Sequence, residues 1–336
     1  MSISKKITGG LSWVWGAASV TAAVFIGATS ALAAGGDMRP AGVPADFVIT
    51  PNGYFHPSCI QQVADDEMVQ EDGSIRRADG SVRNTEACRY PRFTFSGLRI
   101  EANATSVNYV DSAAGGDSNH FPAINGWTAY SETNPNSTTT PDASIQTATF
   151  NVPTAPTSKG RQVVYFFPGL QQGPSTKTIL QPVLGWNAFN NDQVWTIASW
   201  NCCESGTTYN STPVTVNAGD EIYGSITGTC ATGQVCTAFN IVTKDQNSGQ
   251  STTLSNTGSY GQKFNWYFGG VLEMYNVNRC TQLPASGSVS FTNIDIYDIN
   301  DQLQSPTWSP EYTSSTPQCS YKVTTTTNST TITFKP

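Results

Sequence analysis

Residues 177–186 read K-T-I-L-Q-P-V-L-G-W, and residues 266–277 read W-Y-F-G-G-V-L-E-M-Y-N-V. Both runs are apolar on alternating and intervening positions alike and rich in β-branched and aromatic residues, which predicts central strands that pack on another sheet with one face and line a groove with the other. Each carries one lone polar group, Gln181 or Glu273. Side chains alternate across a strand, so Gln181 is expected on one face with Ile179 and Val183. By the same rule Glu273 is expected with Tyr267, Gly269, Val271 and Tyr275. An unpaired amide in such surroundings costs about 1 to 3 kcal/mol and an unpaired carboxylate more, so each group needs a partner. The simplest partners are each other and a water molecule, held where neighbouring strands meet in an open groove. That is the outline of an active site.

Working outward, the same signature recurs at 146–152, 162–167, 194–201, 221–227, 235–242, 251–255 and 288–294, each stretch bounded by Gly, Pro, Asn or Ser. No stretch beyond the leader has a helical period, and many strands at short spacing predict an all-β chain. The expected architecture is an antiparallel β-sandwich of concanavalin or jelly-roll type with an N-terminal extension. The strand-rich part spans 145–300, and 301–336 forms a tail or an edge hairpin. Residues 121–144 read as linker and loop, with S-E-T-N-P-N-S-T-T-T-P at 131–141.

The segment 35–120 is different in character. It is the most densely charged part of the chain and repeats D-G-S at 72–74 and 79–81, which reads as two turn tips of a hairpin within a stapled module or a propeptide. Ahead of it, Lys5 and Lys6 precede an apolar run over 11–26 and the small residues Ala31-Leu32-Ala33-Ala34, the layout of a secretory signal peptide over 1–34. The chain is therefore expected outside the cell or in the periplasm, and free of the membrane once the leader is removed. Charged residues make up 12% of the chain and the net charge is -7, which argues against a nucleic-acid partner. Sequons at Asn103, Asn136, Asn210 and Asn328 mark expected surface loops.

Eight cysteines in an exported chain predict disulfides. Position suggests Cys59 with Cys88, Cys230 with Cys236, and Cys280 with Cys319. Cys202 and Cys203 are adjacent and are expected to be free or bonded elsewhere. No C-x-x-C spacing is present, so no metal site is expected. The two histidines, His56 and His120, both lie outside the strand-rich region, and H-E-x-x-H, G-x-S-x-G and a P-loop are all absent. Histidine-based hydrolysis and histidine-ligated zinc are thereby disfavoured.

Four stretches stand in an order that resembles the fungal glutamic peptidases, the eqolisins. They are I-L-Q at 179–181, V-N-A-G-D-E-I at 216–222, V-L-E at 271–273 and G-S-V-S-F-T-N at 287–293. Y-F-F-P-G-L-Q at 165–171 is similar to a segment of their broader secreted relatives. The resemblance covers about 145–295 and rests on the ordered set. It implies an acid endopeptidase that needs no metal or cofactor. Glu273 would take a proton from the attacking water and return it to the leaving amine. Gln181 would donate to the oxyanion. Apart from the resemblance, Trp186, Trp200, Trp266 and Tyr275 are of a kind that lines a groove for a polypeptide substrate or equally fills a sandwich core. The chain departs from the family where Phe167-Pro168-Gly169-Leu170 replaces a Gly-Asp turn. It departs again at 198–204, which replaces an acidic aromatic segment and leaves Glu204 as the nearest substitute.

Two other readings stand beside this one. Glu273 could bridge Arg279 or Lys263 while Gln181 ties two strands together, a purely structural pair. The whole sandwich could equally be a non-catalytic carbohydrate- or surface-binding module.

Overall fold

A computed structural model describes residues 38–102, 124–173, 177–189, 192–203, 206–312 and 318–336. The expected signal peptide, His120, Asn103 and Glu204 lie outside the described residues. Two large sheets face each other, as the alternating pattern required. One has ten strands, running from Lys322–Thr326 through Ser329–Thr333, Ser288–Asp298, Ala143–Asn151, Glu221–Gly228, Ala238–Asp245 and Ser251–Gly258 to three short strands of the N-terminal segment. The other has nine, in the order Ser309–Tyr312, Ile124–Glu132, Trp266–Val277, Val163–Gln171, Ile179–Trp186, Trp195–Cys202, Thr208–Ser211 and Ile60–Val63, with Val214–Val216 beside Trp195–Cys202. The chain is an all-β sandwich, and 301–336 supplies the edge hairpin Lys322–Thr326 and Ser329–Thr333.

Two apolar cores result. One fills the space between the sheets, where Val164, Phe166, Leu180, Leu184 and Leu272 meet Phe150, Ile222, Phe239 and Ile241. The other lies on the opposite face of the nine-stranded sheet, where Tyr165, Phe167, Val183, Trp200 and Tyr275 meet Tyr54, Phe55, Phe93 and Phe95 of the N-terminal segment. This second core explains why the strands holding Gln181 and Glu273 are apolar on both faces. Apolar surface on the outer face is removed from water by the segment 38–102, at about 25 cal/mol per Å² of favourable transfer.

The N-terminal segment is tied in by hydrogen bonding as well. Ile60–Val63 runs parallel to Thr208–Ser211, and Met68 pairs in parallel with Ser255. The D-G-S repeats form hairpin turns: Ser74 and Ser81 donate their main-chain N–H to Asp72 and Asp79 at 2.9 and 2.8 Å. Three of the four disulfides join the cysteines paired by position, Cys59–Cys88, Cys230–Cys236 and Cys280–Cys319. Cys202 and Cys203, expected to be free or bonded elsewhere, are joined to each other, since the other six are already paired.

Residues 121–144 are not linker throughout. Ile124–Glu132 is a strand of the nine-stranded sheet, paired with Trp266–Val277 on one side and Ser309–Tyr312 on the other. Its Gly126, Thr128 and Ser131 disguise it as loop in composition. Likewise Asn210 is buried in a strand opposite Trp200 instead of marking a surface loop, whereas Asn136 and Asn328 are exposed.

One irregularity decides which residues share the face of Glu273. The pairing of Trp266–Val277 with Val163–Gln171 shifts between Phe167 and Gly169, opposite Gly269 and Gly270. Such a bulge reverses the alternation. Trp266 and Phe268 therefore lie with Val271 and Tyr275, and Tyr267 turns to the inter-sheet core, contrary to the strict alternation expected from sequence. The glycines permit this because the second sheet presses close. A methyl group at Gly270 would lie 2.3 Å from the Phe291 ring, and one at Gly269 would lie 2.8 Å from Thr330 Oγ1. Gly270→Ala is expected to lower stability by about 1 to 3 kcal/mol, read from its urea midpoint.

Candidate active site

Glu273 is fully buried on the outer face of the nine-stranded sheet. The Tyr275 hydroxyl, two residues on and so on the same face, donates to its Oε1 at 2.5 Å. Its Oε2 has no partner at hydrogen-bond geometry. Neither Arg279 nor Lys263 is paired with it, so the structural ion pair considered above is not formed. Burial pushes the carboxyl up to about 8, against smaller opposing contributions from Tyr275 and the Trp127 indole. The group is therefore a neutral acid at pH 7 and below.

Gln181 is also fully buried on this face. Asn52 of the N-terminal segment donates its Nδ2 to Gln181 Oε1 at 3.2 Å, and Gln181 Nε2 has no partner. Trp200 stands directly opposite Gln181 on the adjacent strand, with Phe189 stacked on it at 5.9 Å.

The two residues share a sheet and a face, but they do not meet. Val163–Gln171 runs between their strands. Along it, Tyr165 is level with Glu273 on one side and Gly185 on the other, four positions from Gln181. With a rise of about 3.3 Å per residue and a strand spacing of about 4.8 Å, the Cα atoms are about 16 Å apart. Side chains stand nearly perpendicular to a sheet and do not close such a gap. The register Leu170↔Leu180 instead sets Gln181 level with Gly169, and Gly169 pairs with Phe268. The place where an acidic partner for Gln181 would stand is thus held by a phenylalanine. The expectation of an amide and a carboxylate meeting across neighbouring strands in an open groove is corrected on both counts: a strand intervenes, and the face is covered.

The cover is residues 49–55. The Tyr54 ring packs edge-on against Tyr275 at 5.5 Å, and the Tyr165 hydroxyl donates to the Ile49 carbonyl at 3.5 Å. Of the four aromatics expected to line the groove, Trp200, Trp266 and Tyr275 are on this face. Trp186 is not; it lies in the inter-sheet core beside Trp195, because its position in the strand has the parity of Leu180 and Leu184. Sequence reasoning missed Asn52, Tyr54, Trp127 and Tyr165. P-N-G-Y at 51–54 announces a turn but not what the turn covers, and Trp127 sits in a segment composed like a loop.

No protein-family model matches the chain, and no curated protein matches it. Among solved structures, the chain is similar to scytalido-glutamic peptidase bound to a peptide-based transition-state analogue. The identity is 16%, covering 62% of this chain and 98% of that one, with a TM-score of 0.45. It is similar to SCP-B, a member of the eqolisin family in complex with the tripeptide Ala-Ile-His, at 17% identity over the same shares and a TM-score of 0.42. Aspergilloglutamic peptidase from Aspergillus niger is 16% identical over 51% of this chain and 98% of its own, with a TM-score of 0.36.

Proposed function

We propose that the chain is an exported hydrolase of the glutamic-peptidase kind held closed by its own N-terminal module, with Glu273 as its acid and base. The observation that carries this is the turn and short strand over residues 50–55, laid on Gln181 and Tyr275 where a substrate polypeptide would lie. The module is covalently separable. Its disulfide, Cys59–Cys88, closes within it, and the other three join residues beyond 200. The leader and the disulfides support export.

With the module displaced, water reaches Glu273 and its pKa falls back toward the ordinary carboxyl range, because burial is the main cause of its rise. The ionised carboxylate takes a proton from water as that water attacks a peptide carbonyl, and the acid so formed protonates the departing amine. The Tyr275 hydroxyl and the Trp127 indole are the donors near enough to meet the oxyanion. Gln181, four positions along, holds the substrate main chain instead.

The test compares the intact protein with protein cleaved within 103–123 and freed of the module, on a denatured protein substrate between pH 2 and 7. The intact chain is expected to be inert, the freed sandwich active in acid, and its Glu273→Gln form inactive. A freed sandwich that stays folded by circular dichroism yet turns over nothing sinks the proposal, as does full activity of the variant. That negative outcome would favour a second reading, a permanently closed, non-catalytic binding sandwich. The parallel pairings of Ile60–Val63 and Met68 with the main sheets are the observation on its side.

A further inference from the structure

The face that carries Glu273 continues past the module to a rim where four aromatic rings gather. Trp127 and Tyr130 lie 5.5 Å apart at centroids, Trp127 and Phe268 4.8 Å, and Phe268 and Trp266 4.8 Å. A shift in pairing between Leu272 and Glu273 puts Trp127 and Tyr130, three positions apart, on one face. Trp127 and Tyr130 are only half-buried, so the group of rings has an open side.

Two carboxylates border that opening. Glu132 accepts from the Trp266 indole at 3.0 Å, and Glu311 stands opposite Tyr130 on the edge strand Ser309–Tyr312. Burial pushes the Glu132 carboxyl up to about 7, the Trp266 hydrogen bond opposing and the charge of Glu311 adding to the rise. The Tyr130 hydroxyl feels both charges. Among the described residues, neither carboxylate is paired with a cation. A second feature points to a ligand here. Gln171 shares this face opposite Trp266, is fully buried, and has neither amide atom partnered.

Aromatic faces with two uncompensated carboxylates suit an ammonium or guanidinium group, which is attracted to ring quadrupoles and to negative charge together. A hard metal ion would want six or more oxygen ligands, which ring walls do not offer. An anion would be repelled. The rim lies on the same face as the covered groove, so a chain extended along that face passes over it.

We propose that this rim is a subsite for the cationic side chain of a lysine or arginine on a polypeptide partner. The proposal takes its polypeptide from the function proposed above, but its test needs no hydrolysis and leaves Glu273 unaltered. Intact protein at pH 8 is titrated, by tryptophan fluorescence and calorimetry, with a capped alanine–serine hexapeptide carrying one central lysine. The same peptide with norleucine and choline chloride are the comparison probes. The lysine peptide is expected to bind at least tenfold tighter than the norleucine peptide, and choline to compete only at concentrations at least tenfold higher. The double variant Glu132→Gln, Glu311→Gln is expected to lose at least tenfold in affinity for the lysine peptide, while Glu221→Gln, exposed on the other sheet, leaves it unchanged. Equal binding of the lysine and norleucine peptides overturns the proposal without recourse to any variant. Undiminished binding by the double variant also overturns it, and equal competition by choline overturns its polypeptide part. Lysine-selective binding with no proteolysis under any condition would leave this subsite standing and remove the hydrolase reading alone.

Discussion

The protein is expected to resist urea better at pH 4.5 than at pH 7.5, with Glu273→Gln removing most of the difference. The carboxyl of Glu273 rises from 4.5 to about 8 on folding, burial being the first cause. In the folded state it therefore keeps a proton that the unfolded chain releases above pH 4.5. Folded protein then binds more protons than unfolded, and stability falls as pH rises through that window, levelling off above about 8. At 1.36 kcal/mol per pKa unit, the loss is on the order of 3 kcal/mol at pH 7. The groups around the carboxyl are Tyr275, Tyr165, Tyr54 and Trp127, none of them cationic. Glu132 acts in the same direction and to a smaller extent, being partly in water. Asp72 and Asp79, held down by Ser74 and Ser81 at exposed turn tips, act in the opposite direction and titrate below this window. A glutamine at 273 can keep the Tyr275 hydrogen bond without the charge. An unchanged pH slope in that variant would mean that the carboxyl is ionised in the folded protein.

The second large effect is expected from Tyr54→Ala. Tyr54 is fully buried between the module and the sheet, edge-on to Tyr275. Truncating an aromatic of this size leaves a cavity and costs about 3 to 5 kcal/mol. Where that cost appears distinguishes the two readings of the module. If the module is a separable cover, amide exchange is expected to quicken at Gly53–Phe55 and Arg92–Phe93 while Val163–Gln171 keeps its protection. If the module is integral, the urea midpoint of the whole protein falls as one transition.

These two experiments turn on residues that sequence reasoning ranked differently. Glu273 was legible as a lone acid in an apolar strand, but its closure from water was not, because the residues that cover its face come from the N-terminal segment. Tyr54 was not legible, because nothing local in P-N-G-Y tells that its ring will lie on Tyr275, more than two hundred positions away. The same divide runs through the dyad. That Gln181 and Glu273 each occupy a strand follows from the apolar, β-branched pattern; that both face the outer side of one sheet does not, because these strands are apolar on both faces. That they are two strands and four positions apart follows from strand order and register, which are set by partners distant in the chain.

By itself, the amino-acid sequence determined the all-β class, the strands around Gln181 and Glu273 and the hairpin turns of the D-G-S repeats, and cysteine position suggested three of the four disulfides without fixing them. Each of these rests on local alternation, turn chemistry or the spacing of cysteines. Only the tertiary structure decided the bulge that replaces Tyr267 with Phe268 on the site face, the strand at Ile124–Glu132, and the side of the sheet to which Trp186 belongs. It alone placed the N-terminal module over the groove. The physical reason is the same in every case: these features depend on which apolar surfaces press together and how closely, as Phe291 presses on Gly270, and close packing is a property of the assembled layers rather than of any one stretch of chain.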